Sequence, residues 1–277
     1  MRTIIVAISC LLFVSAAAAQ RAAVITPVAS ELSTLIAGEL ETKLADPLKV
    51  LDSSMAMTAF SASAKSDPLN MTTAETRTAG SAVGADFLIL ITAKSLRRTS
   101  SSNPEYYEAY AAIFVVSTRS GKLVKWFLRS FTGDDTSKAE RALSLSVPEI
   151  ANEITKSIRA ATEDEPQKPF VTKVGELPLE ASPEAKGFRS PVPYRRIKPE
   201  YTSTAYLYDV AATVEVELTL AADGKILSSE VTRWAGFGLD ESVLAAVRAM
   251  SWRPAERDGK SLPIRVLLRY NFKKIEK

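Results

Sequence analysis

The first half of the chain carries the periodicities of helices and of buried strands. Apolar residues at helical spacing predict an amphipathic helix that ends before Pro47: Leu32, Leu35, Ile36, Leu40 and Leu44. A short strand is expected at 48–51, and a second helix over 74–83 with Gly84 as its C-terminal cap. These features indicate alternating helices and strands at the start of the chain.

Long strands are predicted in the middle of this region. Residues 87–92 are continuously apolar, which is typical of a strand buried on both faces. The runs 106–117 and 122–131 flank a predicted hairpin turn at 118–121. Apolar residues then recur every three or four positions from Leu143 to Ile158 and predict one closing helix despite Pro148. We therefore expect residues 22–160 to form an α/β domain.

The last part of the chain shows a different order of elements. Apolar and polar residues alternate over 210–220, which predicts a half-buried strand with a polar outer face. A hairpin turn at 222–225 leads into a second strand at 226–232. A helical stripe follows Gly238, and alternation returns over 264–272. Strand, strand, helix, strand predicts a helix packed on a three-stranded antiparallel sheet within residues 199–277, so the whole chain is expected to be α+β with two small α/β sandwich domains.

A segment rich in proline separates the two regions. Half of the fourteen prolines fall between Ala161 and Pro199. Such spacing prevents a long helix or a central strand and favours extended conformations. We expect residues 161–198 to be a semi-rigid linker.

The amino terminus has the pattern of an export signal. Arg2 precedes an apolar run from Ile4 to Val14, and Ala17–Ala19 offers a cleavage site before Gln20. Residues 1–19 are therefore predicted to be a signal peptide, with a periplasmic mature protein. The alternative is an uncleaved inner-membrane anchor, although the apolar stretch is slightly short for a membrane span.

The residue inventory narrows the possible chemistry. The chain has no histidine, and its one cysteine, Cys10, lies in the signal segment. Imidazole or thiolate catalysis and ordinary transition-metal sites are thus excluded for the mature chain, and we expect no catalytic site, cofactor or metal. A net charge of +3 gives little support for nucleic-acid binding. The acidic pair Asp134–Asp135 and the cluster Glu163–Glu165 are interpreted as helix caps or solvated charge.

Several motifs recur at set spacings from Pro199 to Phe272: Pro199-Glu200-Tyr201, Asp223-Gly224-Lys225, Gly238-Leu239-Asp240, Trp252-Arg253-Pro254-Ala255 and Asp258-Gly259. With these motifs the carboxy-terminal region closely resembles the C-terminal domain of the TonB energy transducers. Two positions depart from the family pattern, with Thr202 where a proline is usual and Ala212 where a glycine is common. A long proline-rich spacer and a full membrane helix are also missing, which favours a soluble periplasmic relative over an energy transducer.

The resemblance implies a way of binding. In the TonB family the last strand receives an extended peptide, the TonB box of an outer-membrane transporter, by strand addition. The outward residues that would lie beside such a partner are Arg265, Leu267, Arg269 and Asn271. Trp234 and Trp252 are interpreted as core or hinge packing and not as ligand platforms. The same edge could also pair two copies of the chain into a homodimer.

A second resemblance concerns residues 22–160. The stretches AGSAVGADFLILITAKS and AAIFVVSTRSGKLVKW are similar to the envelope domain found at the amino end of TolB and in CsgG-like lipoproteins. This resemblance implies an α/β domain that offers a second contact surface.

Three functions are open at this point. The leading hypothesis is a periplasmic module that binds an extended segment of an outer-membrane transporter or another envelope protein by β-strand addition. The alternative is a membrane-anchored TonB-type energy transducer for outer-membrane transport. An enzyme that uses serine or carboxylate chemistry is the third and weakest hypothesis.

Overall fold

The computed structural model describes residues 19–63, 65, 67–101, 104–163, 175–178 and 186–274. The predicted signal peptide lies outside these residues except for Ala19. The expected α+β class is confirmed. No helix in the described part of the chain is both long and apolar enough to cross a membrane.

The first region is built on a five-stranded sheet. Its strands are β1 (Arg21–Ile25), β2 (Lys49–Val50), β3 (Phe87–Arg98), β4 (Tyr106–Ser117) and β5 (Leu123–Gly133). Its helices are α1 (Glu31–Leu44), α2 (Ser53–Ala62), α3 (Thr73–Val83), α4 (Thr136–Leu145) and α5 (Val147–Glu163). The strand order is β2-β1-β3-β4-β5, with β1 parallel to both neighbours and the other pairs antiparallel.

Most of the predicted elements are confirmed, and three differences have clear causes. Gly84 caps α3 with a φ of +76°. Strand β1 and helix α2 were not predicted, because each is short and has no marked periodicity. The single closing helix was wrong: the chain breaks at Ser146, whose backbone N–H donates to Leu143. Pro148 then lies in the first turn of α5, where a missing N–H leaves no helical bond unmade.

Both faces of the five-stranded sheet are buried. On one face, odd-numbered residues of β3 and β4 pack with α1, α4 and α5 around Ile36 and Ile154. On the other face, Leu88, Leu90 and Phe114 pack with α2, α3 and residues of the carboxy-terminal region. The two regions therefore share one hydrophobic core, whereas the sequence predicted a domain at 22–160 and another at 199–277.

The carboxy-terminal region contains the predicted strand-strand-helix-strand order with additions. Its helices are α6 (Ser203–Leu207) and α7 (Leu239–Arg248). Its long strands are β9 (Ala212–Leu220), β10 (Ile226–Arg233) and β14 (Ile264–Phe272). Its short strands are β6 (Gly175–Glu176), β7 (Phe188–Arg189), β8 (Val192–Pro193), β11 (Trp252–Arg253), β12 (Ala255–Arg257) and β13 (Lys260–Leu262). The main sheet has the order β10-β9-β14-β6.

Part of the segment expected as a linker belongs to this region. Strand β7 pairs with β12, β8 pairs with β11, and β6 pairs with the start of β14. Strands β6, β7 and β8 have only two residues each, a length that fits between closely spaced prolines. Among the described residues of the segment 161–198, the first three end α5 and the short strands β6, β7 and β8 are paired, while the linker as a whole stays a prediction.

One loop of the carboxy-terminal region inserts into the amino-terminal region. Trp234 is 1% exposed, and its ring lies 5.6 Å from that of Phe114. Phe237 stacks on Trp126 at 5.2 Å. Gly236, at φ +70°, has room for no side chain, because a Cβ there would lie 2.7 Å from the Phe114 ring. The fit of this loop fixes how the two regions meet.

Asn70 joins the two regions by hydrogen bonds. Its Nδ2 donates to the carbonyl oxygens of Thr213 (2.8 Å) and Trp234 (2.6 Å), and its Oδ1 accepts from the Thr213 N–H (2.9 Å). The side chain is 6% exposed. A buried amide that satisfies three backbone groups cannot be removed without leaving them unpaired.

The segment before β9 also contacts the amino-terminal region. Thr202, which stands where the family has proline, caps α6 and donates its hydroxyl to the Phe237 carbonyl at 2.7 Å. Tyr208 donates to Glu108 of β4 at 2.6 Å. Burial and the Glu108 bond raise the pKa of Tyr208 to about 12. The departure at Thr202 therefore serves the carboxy-terminal region itself, since Thr202 caps α6 and bonds the carbonyl of Phe237, the residue that stacks on Trp126.

We predict that Asn70→Ala lowers the free energy of unfolding by roughly 2–4 kcal/mol, because three buried backbone groups lose their partners. Urea denaturation of the full chain, followed by tryptophan fluorescence, measures this. The matched control is Asn152→Ala on the exposed face of α5, expected to change stability by less than about 0.5 kcal/mol. Equal stabilities for Asn70→Ala and the wild type would contradict the role given to Asn70.

Candidate functional site: the outer edge of the last strand

Strand β14 is paired along one edge over its whole length, and among the described residues only one short strand pairs with the other edge. Every residue from Ile264 to Phe272 pairs with β9. On the outer edge, β6 pairs in parallel with Ile264 and Arg265 alone. From Val266 to Phe272 no other strand among the described residues lies beside this edge. An open edge of this kind presents a row of backbone donors and acceptors to solvent.

The opposite edge of the sheet is partly occupied. At the end of β10, Arg233 forms a bridge with Thr72 and donates to the Asn70 carbonyl oxygen at 2.8 Å. Lys122 of the amino-terminal region also bonds Glu230 of β10 at 3.0 Å. The amino-terminal region therefore contacts β10 at this edge and also the start of β9, whereas among the described residues none of its strands pairs with β14.

The predicted alternation along β14 is confirmed. Ile264, Val266 and Phe272 are buried on the face that packs against the core, while Leu268 and Tyr270 are half-buried. The four predicted partner-binding residues point to the opposite face. Leu267 is 53% exposed there.

Three of those four residues bond to β9. Arg265 pairs with Glu217 at 3.4 Å, and Arg269 donates to Glu215 at 2.8 Å. Asn271 accepts from the Thr213 hydroxyl at 2.8 Å. The four predicted residues thus lie together on one face of β14. Arg265, Arg269 and Asn271 bond this strand to β9 of its own sheet. Contact with a partner stays a prediction for all four.

Glu215 is a buried carboxylate on the outer face of β9. This face was expected to be polar, and Glu215 on it is only 6% exposed. It lies between Arg269 of β14 and Arg233 of β10, which is 3.5 Å away. Arg233 also approaches Glu75 of α3 at 3.7 Å. Burial of this carboxylate is compensated by two guanidinium groups.

A cleft runs beside the open edge of β14. It measures about 430 Å³ and lies between β14 and the segment 191–199. Its apolar lining includes Met250, Trp252, Val266 and Leu268. Sequence reasoning missed this cleft, because residues 191–198 were assigned to a linker. The prolines at 191, 193 and 199 were the available signal, since they favour an extended wall.

The two tryptophans expected in the core are there. Trp234 is 1% exposed and Trp252 is 4% exposed. The Nε1 of Trp234 lies 3.4 Å from the Thr76 hydroxyl. The Nε1 of Trp252 has no hydrogen-bond acceptor in the described part of the chain.

Asp240 is a buried carboxylate at the start of α7. It accepts from the backbone N–H groups of Ala235 (2.9 Å) and Gly236 (2.6 Å). Burial raises the pKa of Asp240 to about 6, while those two backbone bonds oppose the rise. This carboxylate holds the loop that inserts into the amino-terminal region.

The other acidic residues have the structural role expected of them where they are described. Asp135 caps α4 by accepting from the Lys138 N–H, and Asp134 pairs with the Lys138 side chain at 3.0 Å. Glu163 ends α5, and the rest of its cluster lies outside the described residues. No group of three or more potential metal ligands occurs in the part of the chain that the structure describes.

A match to a family model identifies the carboxy-terminal region. The model of the Gram-negative bacterial TonB protein C-terminal matches residues 197–273. Residues 197–273 are a TonB C-terminal domain. The match contains the sheet, α7 and the open edge of β14, and it begins inside the segment that lines the cleft. It covers less than a third of the chain and does not describe the amino-terminal region.

Solved structures with partial likeness fall into two groups. The TonB C-terminal domain of Pseudomonas aeruginosa is 22% identical, covering 38% of this chain and 98% of its own, with a TM-score of 0.28. A lipoprotein from Neisseria meningitidis is 14% identical over 48% of this chain and 99% of its own, with a TM-score of 0.33. A lipoprotein from Caulobacter crescentus is 12% identical over 53% of this chain and 93% of its own, with a TM-score of 0.27.

No curated protein matches the chain. The TM-scores of the solved structures are too low to add to the family match. The resemblance of residues 22–160 to TolB and CsgG-like domains therefore stays a prediction.

We predict that stability falls as pH rises from about 4 to 6 through Asp240. The pKa of Asp240 is higher in the folded chain than in the unfolded chain, so the chain takes up a proton when it folds at a pH between these two values. The stability gained in this way is lost as pH rises through the pKa of the folded chain. Relative to Asp240→Asn, which cannot titrate, the wild type should lose up to about 3 kcal/mol between pH 4 and 7. Urea denaturation across this range measures the difference, and parallel profiles for the two proteins would refute it.

Proposed function

We propose that this protein is an exported envelope protein that binds an extended segment of an outer-membrane transporter or another envelope protein. The segment adds as a strand to the outer edge of β14. The observation that carries the proposal is the outer edge from Val266 to Phe272, beside which no described strand lies, within a TonB C-terminal domain. Domains of this family mediate protein interaction and are not enzymes, which supports a binding role for the chain.

The regular pairing of β14 with β9 supports strand addition. Its inner edge pairs without a bulge along all of β9, and Arg269 and Asn271 bond β9 through their side chains. The strand is therefore held in its own sheet before a partner arrives. A partner that pairs with the outer edge gains main-chain hydrogen bonds at a low ordering cost to the protein.

Contact between the two regions supports a fixed presentation of this edge. Asn70 bonds Thr213 of β9 and Arg233 at the end of β10. These contacts hold the sheet against the amino-terminal region, and none of the described strand pairs of that region involves β14. The amino-terminal region acts as a support in this proposal and offers a separate surface for envelope contacts.

The position of β1 supports cleavage of the export signal. Strand β1 begins at Arg21, and the carbonyl of Gln20 already accepts from the Lys49 N–H at 3.0 Å. Cleavage after Ala19 leaves these pairs intact. A membrane helix that ended at Ala19 would place the central sheet directly at the bilayer surface.

Strand addition predicts a binding pattern with a period of two. The probe is a synthetic TonB-box peptide of an outer-membrane transporter from the same bacterium, N-methylated at one residue at a time. N-methylation at alternate residues should weaken binding to the full chain at least about tenfold, because those amides donate to β14. Methylation of the residues between them should have little effect. Isothermal titration calorimetry measures both series, and equal effects at adjacent positions would contradict strand addition.

Cleavage of the signal is checked on the protein produced from the full-length gene in a Gram-negative host. We predict that the periplasmic fraction contains a chain that begins at Gln20 and whose intact mass equals that of the protein without its first nineteen residues. Recovery of the chain in the inner-membrane fraction with its first nineteen residues would instead support the anchored energy transducer.

A further inference from the structure

We propose that a second cleft, between residues 122–126 and the start of α7, binds a small zwitterion, namely an amino acid with an apolar side chain. This inter-region cleft measures about 330 Å³, within the range of roughly 300 to 1,000 Å³ that is usual for ligand pockets. None of its described lining residues belongs to β14. The site is therefore separate from the proposed strand addition and does not depend on it.

The inter-region cleft has walls of opposite charge. Lys122 and Lys125 lie on the β5 wall, and Asp240 and Glu241 lie in the first turn of α7. Lys122 forms an ion pair with Glu230 at 3.0 Å, but none of the ion pairs between described residues involves Lys125, Asp240 or Glu241. Charges of both signs are thus left for a ligand. A molecule that carries both an ammonium and a carboxylate complements them.

The carboxylate wall is suited to an ammonium group. Burial raises the pKa of Asp240 to about 6, the backbone N–H groups of Gly236 and Ala235 oppose the rise, and the nearby charge of Glu241 adds to it. Near neutral pH the Asp240 carboxyl is therefore mainly ionised, and its charge is compensated by backbone dipoles alone among the described residues. An ammonium beside Asp240 and Glu241 would offset both the burial and the mutual repulsion.

The rest of the inter-region cleft is apolar and aromatic. Trp126 is half-buried and stacks on Phe237 at 5.2 Å, which holds its indole in place. Trp234, Val231 and Leu244 line the same space, and each is buried or half-buried. An apolar side chain that enters this space loses contact with water, and an ammonium near an indole gains a cation–π interaction. The lining therefore favours an apolar amino acid over a polar one.

A second site of strand addition on β5 is the alternative use of this place, because β5 forms an edge of the five-stranded sheet. Two features disfavour it. The pairing of β5 with β4 shifts register between Val115 and Val116, and the side chain of Arg129 donates to the Leu128 carbonyl at 3.3 Å. Bulges and charged side chains of this kind protect sheet edges from pairing. A small ligand needs no such edge.

The test uses the full mature chain and three matched small molecules. Leucine carries both charges, isoamylamine lacks the carboxylate, and isocaproate lacks the ammonium. Isothermal titration calorimetry at neutral pH should show that leucine binds at least about tenfold more tightly than either analogue. Bound leucine should also shift the indole N–H resonance of Trp126, while that of Trp252, which lies outside the inter-region cleft, should keep its position.

Single charge removals test the two walls separately. Glu241→Gln should weaken leucine binding at least about tenfold and leave isocaproate binding unchanged, because isocaproate has no ammonium. Lys125→Gln should weaken leucine binding and leave isoamylamine binding unchanged. Asp240 is kept in both variants because it holds the loop before α7. The matched controls are Glu31→Gln in the first turn of α1 and Lys49→Gln on β2, both exposed and away from the cleft.

Three results would overturn the proposal. Leucine that binds no more tightly than isoamylamine or isocaproate would show that the cleft does not recognise a zwitterion. Absence of binding heat and of any shift of the Trp126 resonance at about 10 mM leucine would show that the cleft takes no amino acid of this class. Equal loss of leucine binding in a wall variant and its matched control would show a general charge effect.

Discussion

The arrangement of the molecule depends on the loop from Trp234 to Gly238, which Asp240 holds in shape. Its carboxylate accepts from the N–H groups of Ala235 and Gly236, and this places Trp234 and Phe237 against the rings of β4 and β5. The aromatic contact joins the two regions into one core. Other contacts involve the start of β9, and no described residue of the amino-terminal region pairs with the outer edge of β14.

A line of charges connects this contact with the outward face of β14. Arg233 bonds the Asn70 carbonyl and lies near Glu75 in the amino-terminal region, and it also approaches Glu215. Glu215 in turn pairs with Arg269. Burial of Glu215 makes these pairs stronger than ordinary surface pairs and makes the loss of either arginine costly. The outward face of β14 is thus stabilised by the same residues that fix the two regions together.

The sequence predicts what depends on local periodicity and turn chemistry. The alternation over 264–272 gives β14 and its two faces, and Gly84 gives the end of α3. Contacts between distant residues leave no such pattern. The local pattern places Asn70 in a loop, yet its hydrogen-bond partners are Thr213 and Trp234, which lie far along the chain. The cleft was missed for a related reason, because proline spacing suggests an extended chain and does not show which strand that chain follows.

The most direct test of strand addition is amide hydrogen exchange by NMR on the full chain, with and without a saturating TonB-box peptide. The account predicts that alternate amides between Val266 and Phe272 exchange rapidly in the free protein and slowly in the complex. Amides of β9 and β10 should keep their exchange rates within about twofold. New protection confined to the amino-terminal region or to β10, with β14 unchanged, would contradict the account.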